Sequence, residues 1–596
     1  MTRIFRTSLT AGALVLACLL VPGAAGATVT VSLYRITSDL PPSPSVAVPS
    51  GGPSSAQAGA VVNAGSYSRF AYSTGTEDLQ TALTNFAPGL LGNPESQPKC
   101  PESALQSPSF GATCPAGSLI GTSRLDVETA AGTTPIASFS GTVYNAEPLG
   151  NEPGRLGVVT PVPAFGTTLV SSIPFEITPR GGGDYGLTGT LTDVQRLDVS
   201  PFGNLQVHAL SFVLNGATNN YVRNPTSCAT HNNTGQAAGY EDPTFTDGPA
   251  YQFGTTGCDT VPFKPTTTLE LGDRGNTAFN RHAPFKLTIT QAPGSADIKG
   301  NKITLPIELN TNNPVYKLCT QAQADADACP ADSKFGGAAA KSPFLAEEIK
   351  GPVYLIQQTN TSLPGLLIDL RGRVHVKIQT KTTLVNNRAI QSLVLNSPQL
   401  PISEFRIGLN GGKNGVFLNR QDLCFRGDST SRFNDVSGLI KDYGHNGATT
   451  TETKLKAKVN GCGPGVSGKI SGATGSRPSV QLKVNKHPDA PNYRELTVTL
   501  SRNLSLVKSR VGSGGSAGAG DVEYVSRRSF KVTGLPAAGE DALTILLRRG
   551  AVKVSDRSQD LLRRGRSRTF AAKVKQTPVS GAATSTRGEF RARGSR

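Results

Sequence analysis

The sequence predicts a mainly β protein, with tandem β-sandwich-like domains followed by an immunoglobulin-like C-terminal domain. Glycine and proline are abundant, at 66 and 41 residues, only 17% of the residues are charged, and tryptophan is absent. This composition is typical of short strands joined by many turns and argues against a helical bundle. Apolar residues alternate with polar ones in several segments, as at Val374, Val376 and Ile378, which indicates strands with one buried face. A cysteine pattern that occurs twice indicates that the tandem domains are copies of one module.

Residues 1–27 have the pattern of a secretory signal peptide. Arg3 and Arg6 precede an apolar run over residues 9–21, and small residues end the segment. A lipid-modified Cys18 is the alternative, although the apolar run continues beyond that cysteine. No later apolar run reaches the ~20 residues needed to cross a bilayer. We therefore expect an exported protein without a transmembrane segment in the mature chain, either released or retained at the cell surface.

The eight cysteines after the signal form two sets of four. The gaps are 14, 114 and 30 residues in the first set, and 10, 95 and 38 residues in the second. Paired cysteines persist in the oxidising conditions that exported proteins meet, whereas a zinc site is disfavoured because no CxxC motif is present. If each copy pairs internally, joining sequence neighbours closes the smallest loops at the lowest entropy. The favoured disulfides are Cys100–Cys114, Cys228–Cys258, Cys319–Cys329 and Cys424–Cys462.

Short matching strings support the duplication. Three strings occur in both copies in the same order: CPA from Cys114 and Cys329, G-x-V-Y from Gly141 and Gly351, and LNG from Leu214 and Leu409. A period of about 200 residues indicates tandem domains and not a solenoid, whose repeats are about 20–50 residues long. We assign residues 28–262 to a first disulfide-containing β repeat and residues 263–465 to a second.

Two segments within the repeats need a choice between helix and strand. Residues 79–86 fit either, and the matching segment of the second copy favours a strand. Residues 320–328, which lie between two cysteines, are consistent with a short helical turn.

The remainder of the chain predicts a third unit. Residues 466–478 are rich in glycine and serine, which is typical of a linker. Five or more alternating segments over residues 479–576 indicate an immunoglobulin-like β domain. Residues 577–596 show no apolar period, so we expect a disordered basic tail.

These strings resemble a group of uncharacterised exported cysteine-containing β-repeat proteins of high-GC Gram-positive bacteria. The string PGLLGNP at residues 88–94 adds to the likeness, which spans residues 28–462. The C-terminal unit resembles the basic, β-rich domain that often follows such repeats. The resemblance implies export, repeats and β-structure, and it implies no catalytic residues. One departure from the pattern is Thr142, where the second copy has a proline.

The sequence contains no familiar catalytic or cofactor-binding motif. HExxH, GxSxG and GxxxxGK[ST] are all absent, and we predict neither a cofactor nor enzyme activity. Asp325, Asp327 and Asp332 could bind calcium, but they lack the EF-hand ligand rhythm, which favours a solvated loop. The six histidines lie in no metal-binding pattern, and we expect them at the surface. They are His208, His231, His282, His375, His445 and His487.

Positive charge is concentrated at the C-terminal end. The formal net charge is +17, and residues 548–596 hold 14 lysines and arginines against 3 acidic residues. Such an end could bind an anionic cell-wall polymer or another envelope component, or it could be a solvated strand edge protected from aggregation by its charges. Aromatic residues are sparse there, which argues against specific nucleic-acid binding. The candidate anion-binding residues are Arg548, Arg549, Arg563, Arg564, Arg566 and Arg568.

These observations together predict a non-catalytic exported protein of the cell envelope or extracellular space, with a structural or adhesive role. The alternative is a secreted glycan-binding protein or glycan-active enzyme. Glycan hydrolysis usually needs two carboxylates at a set separation, for which Asp193, Asp198, Glu347 and Glu348 are available. The absence of tryptophan disfavours a platform for stacking sugars.

Overall fold

The computed structural model describes most of the mature chain. It covers residues 27–41, 47–107, 113–130, 132–177, 179–180, 185–199, 203–311, 317–359, 361, 363–386, 388–427, 429–517, 520–535 and 542–594. Residues 1–26 of the predicted signal peptide, which include Cys18, lie outside this part. No helix of the described residues is long and apolar enough to cross a bilayer.

The first unit is built mainly from one continuous 13-stranded sheet, with a two-stranded ladder between Leu91–Gly92 and Val222–Arg223 and two single-turn helices. Its strands are β1 (Val29–Thr37), β2 (Ala64–Tyr72), β3 (Leu79–Asn85), β4 (Leu91–Gly92), β5 (Leu119–Thr129), β6 (Ala137–Ala146), β7 (Arg155–Val162), β8 (Thr167–Ile177), β9 (Leu187–Leu191), β10 (Leu197–Val199), β11 (Gly203–Leu214), β12 (Val222–Arg223), β13 (Thr230–Gly239), β14 (Thr246–Asp247) and β15 (Tyr251–Gly254). Its helices are α1 (Glu102–Leu105) and α2 (Gly216–Asn219).

The second unit has the same character. Its strands are β16 (Thr266–Leu271), β17 (Phe285–Thr290), β18 (Ile298–Thr304), β19 (Leu309–Thr311), β20 (Lys334–Lys341), β21 (Ile349–Ile356), β22 (Gly365–Leu370), β23 (Val376–Gln379), β24 (Lys381–Val385), β25 (Ala389–Val394), β26 (Glu404–Leu409), β27 (Phe417–Asn419), β28 (Ser437–Gly444) and β29 (Thr453–Val459). The predicted helical turn forms as α3 (Gln321–Asp325), which begins with a capping box between Thr320 and Gln323.

Both units follow the same path through their sheets. The first unit pairs its strands in the order β1-β2-β11-β5-β6-β7-β8-β9-β3-β13. The second has the order β16-β17-β26-β20-β21-β22-β23 on one side of β16, and β24-β25-β18-β28-β29 leading back to its other side. The long strand β8 thus corresponds to the consecutive strands β23 and β24. The shared strand order makes the two units structural repeats, and β3 is the strand that we favoured over a helix.

Alternating side chains build the core of each unit. In β17 the side chains of Phe285, Leu287 and Ile289 are only 3–7% exposed, whereas the intervening Lys286 faces solvent. This period-2 burial is the pattern of a strand with one face on the core. The mainly β fold class is confirmed.

The third unit is a two-sheet sandwich. Its strands are β30 (Gly465–Ser471), β31 (Ser479–Asn485), β32 (Tyr493–Leu500), β33 (Leu504–Leu506), β34 (Gly515–Ala517), β35 (Asp521–Ser526), β36 (Ser529–Thr533), β37 (Ala542–Leu547), β38 (Val552–Val554), β39 (Ser567–Pro578) and β40 (Thr584–Arg593), with helices α4 (Lys508–Gly514) and α5 (Asp556–Arg563). One sheet has the order β30-β31-β37-β34 and the other β35-β36-β32-β39-β40. Phe530 and Phe570 are fully buried between them.

The predicted linker at residues 466–478 is wrong in its first half. Residues 465–471 form β30, which pairs along its whole length with β31. Val466 and Ile470 enter the core, and Gly468 lies where an added Cβ would be 2.6 Å from the Phe590 ring. The glycine that suggested a linker is therefore required by close packing within a strand.

The predicted disordered tail at residues 577–596 is also wrong. Residues 584–593 form β40, which pairs with β39 through ten registered positions. The inward positions are Thr586, Gly588, Phe590 and Ala592, of which only one is a large apolar residue. This weak apolar signal concealed the strand, and the third unit therefore extends beyond both limits of the predicted 479–576 domain.

The first two units share apolar packing. Ile177 and Tyr185 of the first unit join the core cluster of the second. The Tyr185 hydroxyl donates to the Lys377 carbonyl and accepts from the Lys377 N–H, both at 3.0 Å. The second and third units meet through Thr430 and Val466, whose backbone and side-chain hydrogen bonds measure 2.8 and 2.9 Å.

One buried carboxyl makes the stability of the second unit pH-dependent. Asp442 in β28 is 4% exposed, and burial raises its pKa from 3.8 to about 6. An acid with a raised folded-state pKa favours folding below its unfolded pKa, and this contribution is lost as the pH rises through about 6. We expect Asp442→Asn to raise the unfolding free energy by about 2 kcal/mol more at pH 8 than at pH 4. Urea unfolding at both pH values measures this difference.

The control for Asp442 is the exposed Asp435. A hydrogen bond from Lys454 lowers the pKa of Asp435. Asp435→Asn should therefore not raise the unfolding free energy at pH 8. If Asp442→Asn raised the unfolding free energy equally at pH 4 and pH 8, the result would contradict a buried charge at residue 442.

Candidate functional site

The cysteines are structural. The structure contains Cys100–Cys114, Cys228–Cys258, Cys319–Cys329 and Cys424–Cys462. In the first repeat the Cys100 N–H donates to the Asn145 carbonyl at 2.7 Å, and in the second the Cys319 N–H donates to the Leu355 carbonyl at 2.9 Å. The same staple therefore ties the same strand, β6 or β21, in each copy. None of these eight sulfurs is a free thiol that could act as a nucleophile or metal ligand.

Asp327, Asp369 and His375 are the described residues that come close to a metal-binding arrangement, since their ligand atoms lie within 4.8 Å of one another. Asp327 binds Lys377 at 2.6 Å and Arg371 at 2.9 Å, while Asp369 binds Arg371 at 2.8 Å and His375 at 2.7 Å. The hydrogen bond from Lys377 holds the pKa of Asp327 below its usual value. Each carboxylate thus already has a cationic partner, and the cluster is an ion-pair network.

The predicted calcium group does not assemble. Asp332 pairs with Lys317 at 3.0 Å, and Asp325 accepts a hydrogen bond from Gln321 at 2.8 Å. Asp327 instead reaches the strands β22 and β23 of the same unit. The sequence could not show the contact of Asp327 with these strands, because the residues become neighbours only through the pairing register of β22 and β23.

The expectation that the histidines lie at the surface is wrong for three of them. His208, His231 and His487 are 2–6% exposed. His208 Nδ1 lies 2.6 Å from a carboxylate oxygen of Glu128, which is also buried. Burial also lowers the pKa of His231 and of His487. His208 on β11 and His231 on β13 are hydrogen-bonded core groups, whereas His487 follows β31 and its Nε2 is buried without a partner among the described residues.

The six predicted anion-binding arginines lie on several elements of the third unit. Arg548 and Arg549 follow β37, Arg563 ends α5, and Arg566 precedes β39. The Arg563 side chain is held by the Thr474 carbonyl at 3.1 Å. The Arg568 Nε is buried without a partner among the described residues. The role of this set in anion binding stays a prediction.

A second group of cations lies on one face of β39 and β40. In β40 exposed Arg587, Arg591 and Arg593 alternate with buried residues, and in β39 exposed Lys573 and Lys575 do the same. We call these five residues the basic face. Lys573 stands opposite Arg587 in the ladder, so their Cβ atoms are about 5 Å apart. Successive outward residues of one strand are about 7 Å apart.

Most charges of the basic face are unpaired. Arg587 lies 3.6 Å from Glu589, the one acid on this face of β40. Within the described part of the chain, Lys573, Lys575, Arg591 and Arg593 form no ion pair within 4.0 Å. The neighbouring Lys531 is different, because Glu495 binds it at 2.8 Å. The free cations are Lys573 and Lys575 on β39 and, farther along the same face, Arg591 and Arg593 on β40. Such spaced cations on a rigid sheet suit repeated negative charges.

Comparisons with known proteins leave this surface unassigned. No family model matches the chain, and no curated protein matches it. The MSCRAMM ACE of Enterococcus faecalis is a similar solved structure at 8% identity and TM-score 0.17, over 55% of this chain and 94% of that one. The B domain of a biofilm-associated protein is similar at 10% identity and TM-score 0.16, over 55% of this chain and 85% of that one. A protein of Corynebacterium diphtheriae described as membrane anchored is similar at 8% identity and TM-score 0.16, over 79% of this chain and 96% of that one. TM-scores this low carry no functional inference.

Proposed function

We propose that the protein is a non-catalytic exported component of the cell envelope that holds an anionic polymer through the basic face. The observation that supports this most directly is the set of exposed cations on one face of β39 and β40, of which only Arg587 has an acidic partner among the described residues. The role is structural or adhesive, because it requires a rigid charged surface and no reacting group. The eight cysteines of the described residues, which all form disulfides, and the neutralised Asp327–Asp369–His375 cluster agree with this role.

The chemistry of the basic face favours a polymer over a small anion. No side chain of the face is buried in a pocket, and each cation remains exposed to solvent. Single exposed ion pairs contribute little, about 0–1 kcal/mol each. Several cations in register can act together on a polyanion and release its condensed counterions. Binding should therefore be multivalent, tolerant of polymer identity and strongly dependent on salt.

The rest of the chain would hold this face outside the cell. Two disulfide-containing repeats precede the third unit. Outside residues 548–596 and the signal region the chain is nearly neutral. The basic end is then the part that an anionic surface attracts, and the repeats serve as its scaffold.

The basic face can be tested against the predicted arginines with matched charge changes. One variant of the mature chain carries Lys573→Gln, Lys575→Gln, Arg591→Gln and Arg593→Gln. The control carries Arg548→Gln, Arg549→Gln, Arg564→Gln and Arg566→Gln, which removes the same four charges elsewhere in the unit. The probes are polyphosphate and dextran sulfate, titrated at several salt concentrations.

The face variant should bind at least tenfold more weakly at low salt. Its plot of log affinity against log salt should be less steep by about 3, because up to four counterion-releasing contacts are lost. The control variant should keep most of the affinity. Equal losses in the two variants would mean that net charge, and not the basic face, governs binding. If the affinity of the wild-type chain for these polyanions did not change with salt concentration, the proposal would be wrong.

A further inference from the structure

The interior of the first unit contains a cavity of about 200 Å³, which strands of its continuous sheet line. Residues of β2, β5 and β7 line one wall, and Phe86 and Phe175, whose ring centroids are 6.3 Å apart, also line the cavity. A cavity of this size is unusual in a sandwich interior, which normally packs without voids larger than a water molecule.

A row of hydroxyl groups crosses this wall. Ser66 pairs with Phe212, Phe212 pairs with Ser123, and Ser123 pairs with Gly141. Thr160 follows on the next strand beside Gly141, since Thr142 pairs with Val159. Laterally paired residues point to the same face of a sheet, and all of the row except Gly141 line the cavity. Ser68 lies one step along the same face of β2.

The second unit supplies an internal comparison. A cavity in its interior, lined in part by Leu287 and Ile289, has a volume of about 120 Å³. The registers of β17, β20 and β22 align the two walls residue by residue, starting from the shared Leu-Asn-Gly and Gly-x-Val-Tyr strings. At the positions equivalent to Ser66, Ser68, Ser123 and Thr160 the second unit has Leu287, Ile289, Ala338 and Leu370. Four aliphatic positions of one repeat are therefore hydroxyl-bearing in the other.

The hydroxyl row is unfavourable for packing alone. Ser123 is 4% exposed, and its Oγ has no hydrogen-bond partner among the described residues. A buried hydroxyl without a partner costs about 1–3 kcal/mol. Gly141 keeps the space between two of the hydroxyls open, because an added Cβ would lie 2.5 Å from Ser123 Oγ and 2.6 Å from Thr160 Oγ1. The second repeat shows that the same fold tolerates aliphatic residues here.

We infer that this cavity is a binding site for a small neutral amphiphile, a ring-sized molecule that carries a hydroxyl or amide group. Its polar group would bond Ser123 and Thr160, whose hydroxyls meet above Gly141, and its apolar part would contact Phe86 and Phe175. A cavity of about 150 Å³ already accepts benzene in an apolar protein core. The larger volume here leaves room for one polar substituent.

The charges around the cavity favour a neutral ligand. The Arg124 side chain faces the opposite side of β5, where it binds Asp126 at 2.7 Å and Ser138 at 2.9 Å. Asp193 lies in the exposed loop after β9, at the rim. The charged groups of Arg124 and Asp193 therefore do not face the hydroxyl row inside the cavity. This site is distinct from the basic face, so either proposal can fail without the other.

The test uses the full-length oxidised chain with phenol and benzene as probes and glycerol as a wholly polar control. Ligand-detected NMR and calorimetry report binding to wild type, Ser123→Ala and Ser66→Leu. Ser123→Ala removes one hydroxyl and places there the residue of the second repeat. Ser66→Leu fills the cavity with the second repeat's side chain. The matched control is Ser392→Ala, which removes a hydroxyl from the cavity of the second unit.

We expect phenol to bind more tightly than benzene, and glycerol not to bind. Ser123→Ala should weaken phenol about tenfold and leave benzene unchanged, because only the hydrogen bond is lost. Ser66→Leu should abolish both, and Ser392→Ala should change neither. The inference is overturned if neither phenol nor benzene binds, if Ser123→Ala affects them equally, or if Ser392→Ala has the same effect as Ser123→Ala. If Ser66→Leu fails to fold, the comparison of phenol and benzene binding to Ser123→Ala still tests the inference.

Discussion

A chain truncated after Gly581 will keep its first two units folded and lose the third. The truncation removes β40, which contributes Phe590 and Ala592 to the core at 5% and 8% exposure. Replacing one buried phenylalanine by alanine already costs about 3–5 kcal/mol, and a whole domain is stable by only about 5–15 kcal/mol. Loss of the strand also exposes the edge of β39 and removes the Phe590 ring that packs on Gly468 of β30. The combined loss should exceed the stability of the unit.

Limited proteolysis followed by hydrogen-exchange mass spectrometry measures this outcome. The truncated chain should be cleaved rapidly within residues 465–578, while the two repeats remain protected. The control carries Arg591→Ser and Arg593→Ser, which change outward side chains of the same strand and should leave protection intact. Phe590→Ala should give an intermediate loss. A truncated chain whose third unit resists protease as well as the full-length chain would restore the prediction of a dispensable disordered tail.

The success of sequence-based prediction here depended on the size of the inward residues. In β31 the inward residues Val480, Leu482 and Val484 are all fully buried, and the alternation is evident in the sequence. In β40 the inward set includes a threonine, a glycine and an alanine, so the same period carries little apolar signal. β30 was concealed in the same way by Gly468. Close packing against Phe590 makes small residues necessary there, and no local pattern reports that contact.

The sites divide along a similar line. The disulfide pairs were predictable because short loops favour sequence neighbours. The basic face was only half visible, because charge counting identifies a basic end and only strand register shows which cations share a surface. The hydroxyl row required still more, since Ser66 and Thr160 lie on the same wall only because three intervening strands join β2 to β7. Features assembled from distant strands need the sheet order before they can be recognised.

Removing Cys424–Cys462 will destabilise the protein more than removing Cys319–Cys329. The first bond closes a loop of 38 residues that contains β28 and β29, and the second closes a loop of 10. The chain-entropy relation gives about 4 kcal/mol for the longer loop and about 3 kcal/mol for the shorter one. Cys424 and Cys462 are also buried in the core cluster of the second unit, so their loss removes packing as well.

The measurement is urea unfolding of two double variants, Cys424→Ala with Cys462→Ala and Cys319→Ala with Cys329→Ala. Double substitution avoids a free thiol that could form a wrong disulfide. The first variant should also loosen the loop that carries Thr430 and Phe433 to the third unit, and hydrogen exchange at Val466 should rise because its N–H donates to the Thr430 carbonyl. The second variant should leave that exchange unchanged. The opposite ranking, or unchanged exchange at Val466 in the first variant, would show that the longer bond neither dominates stability nor anchors the third unit.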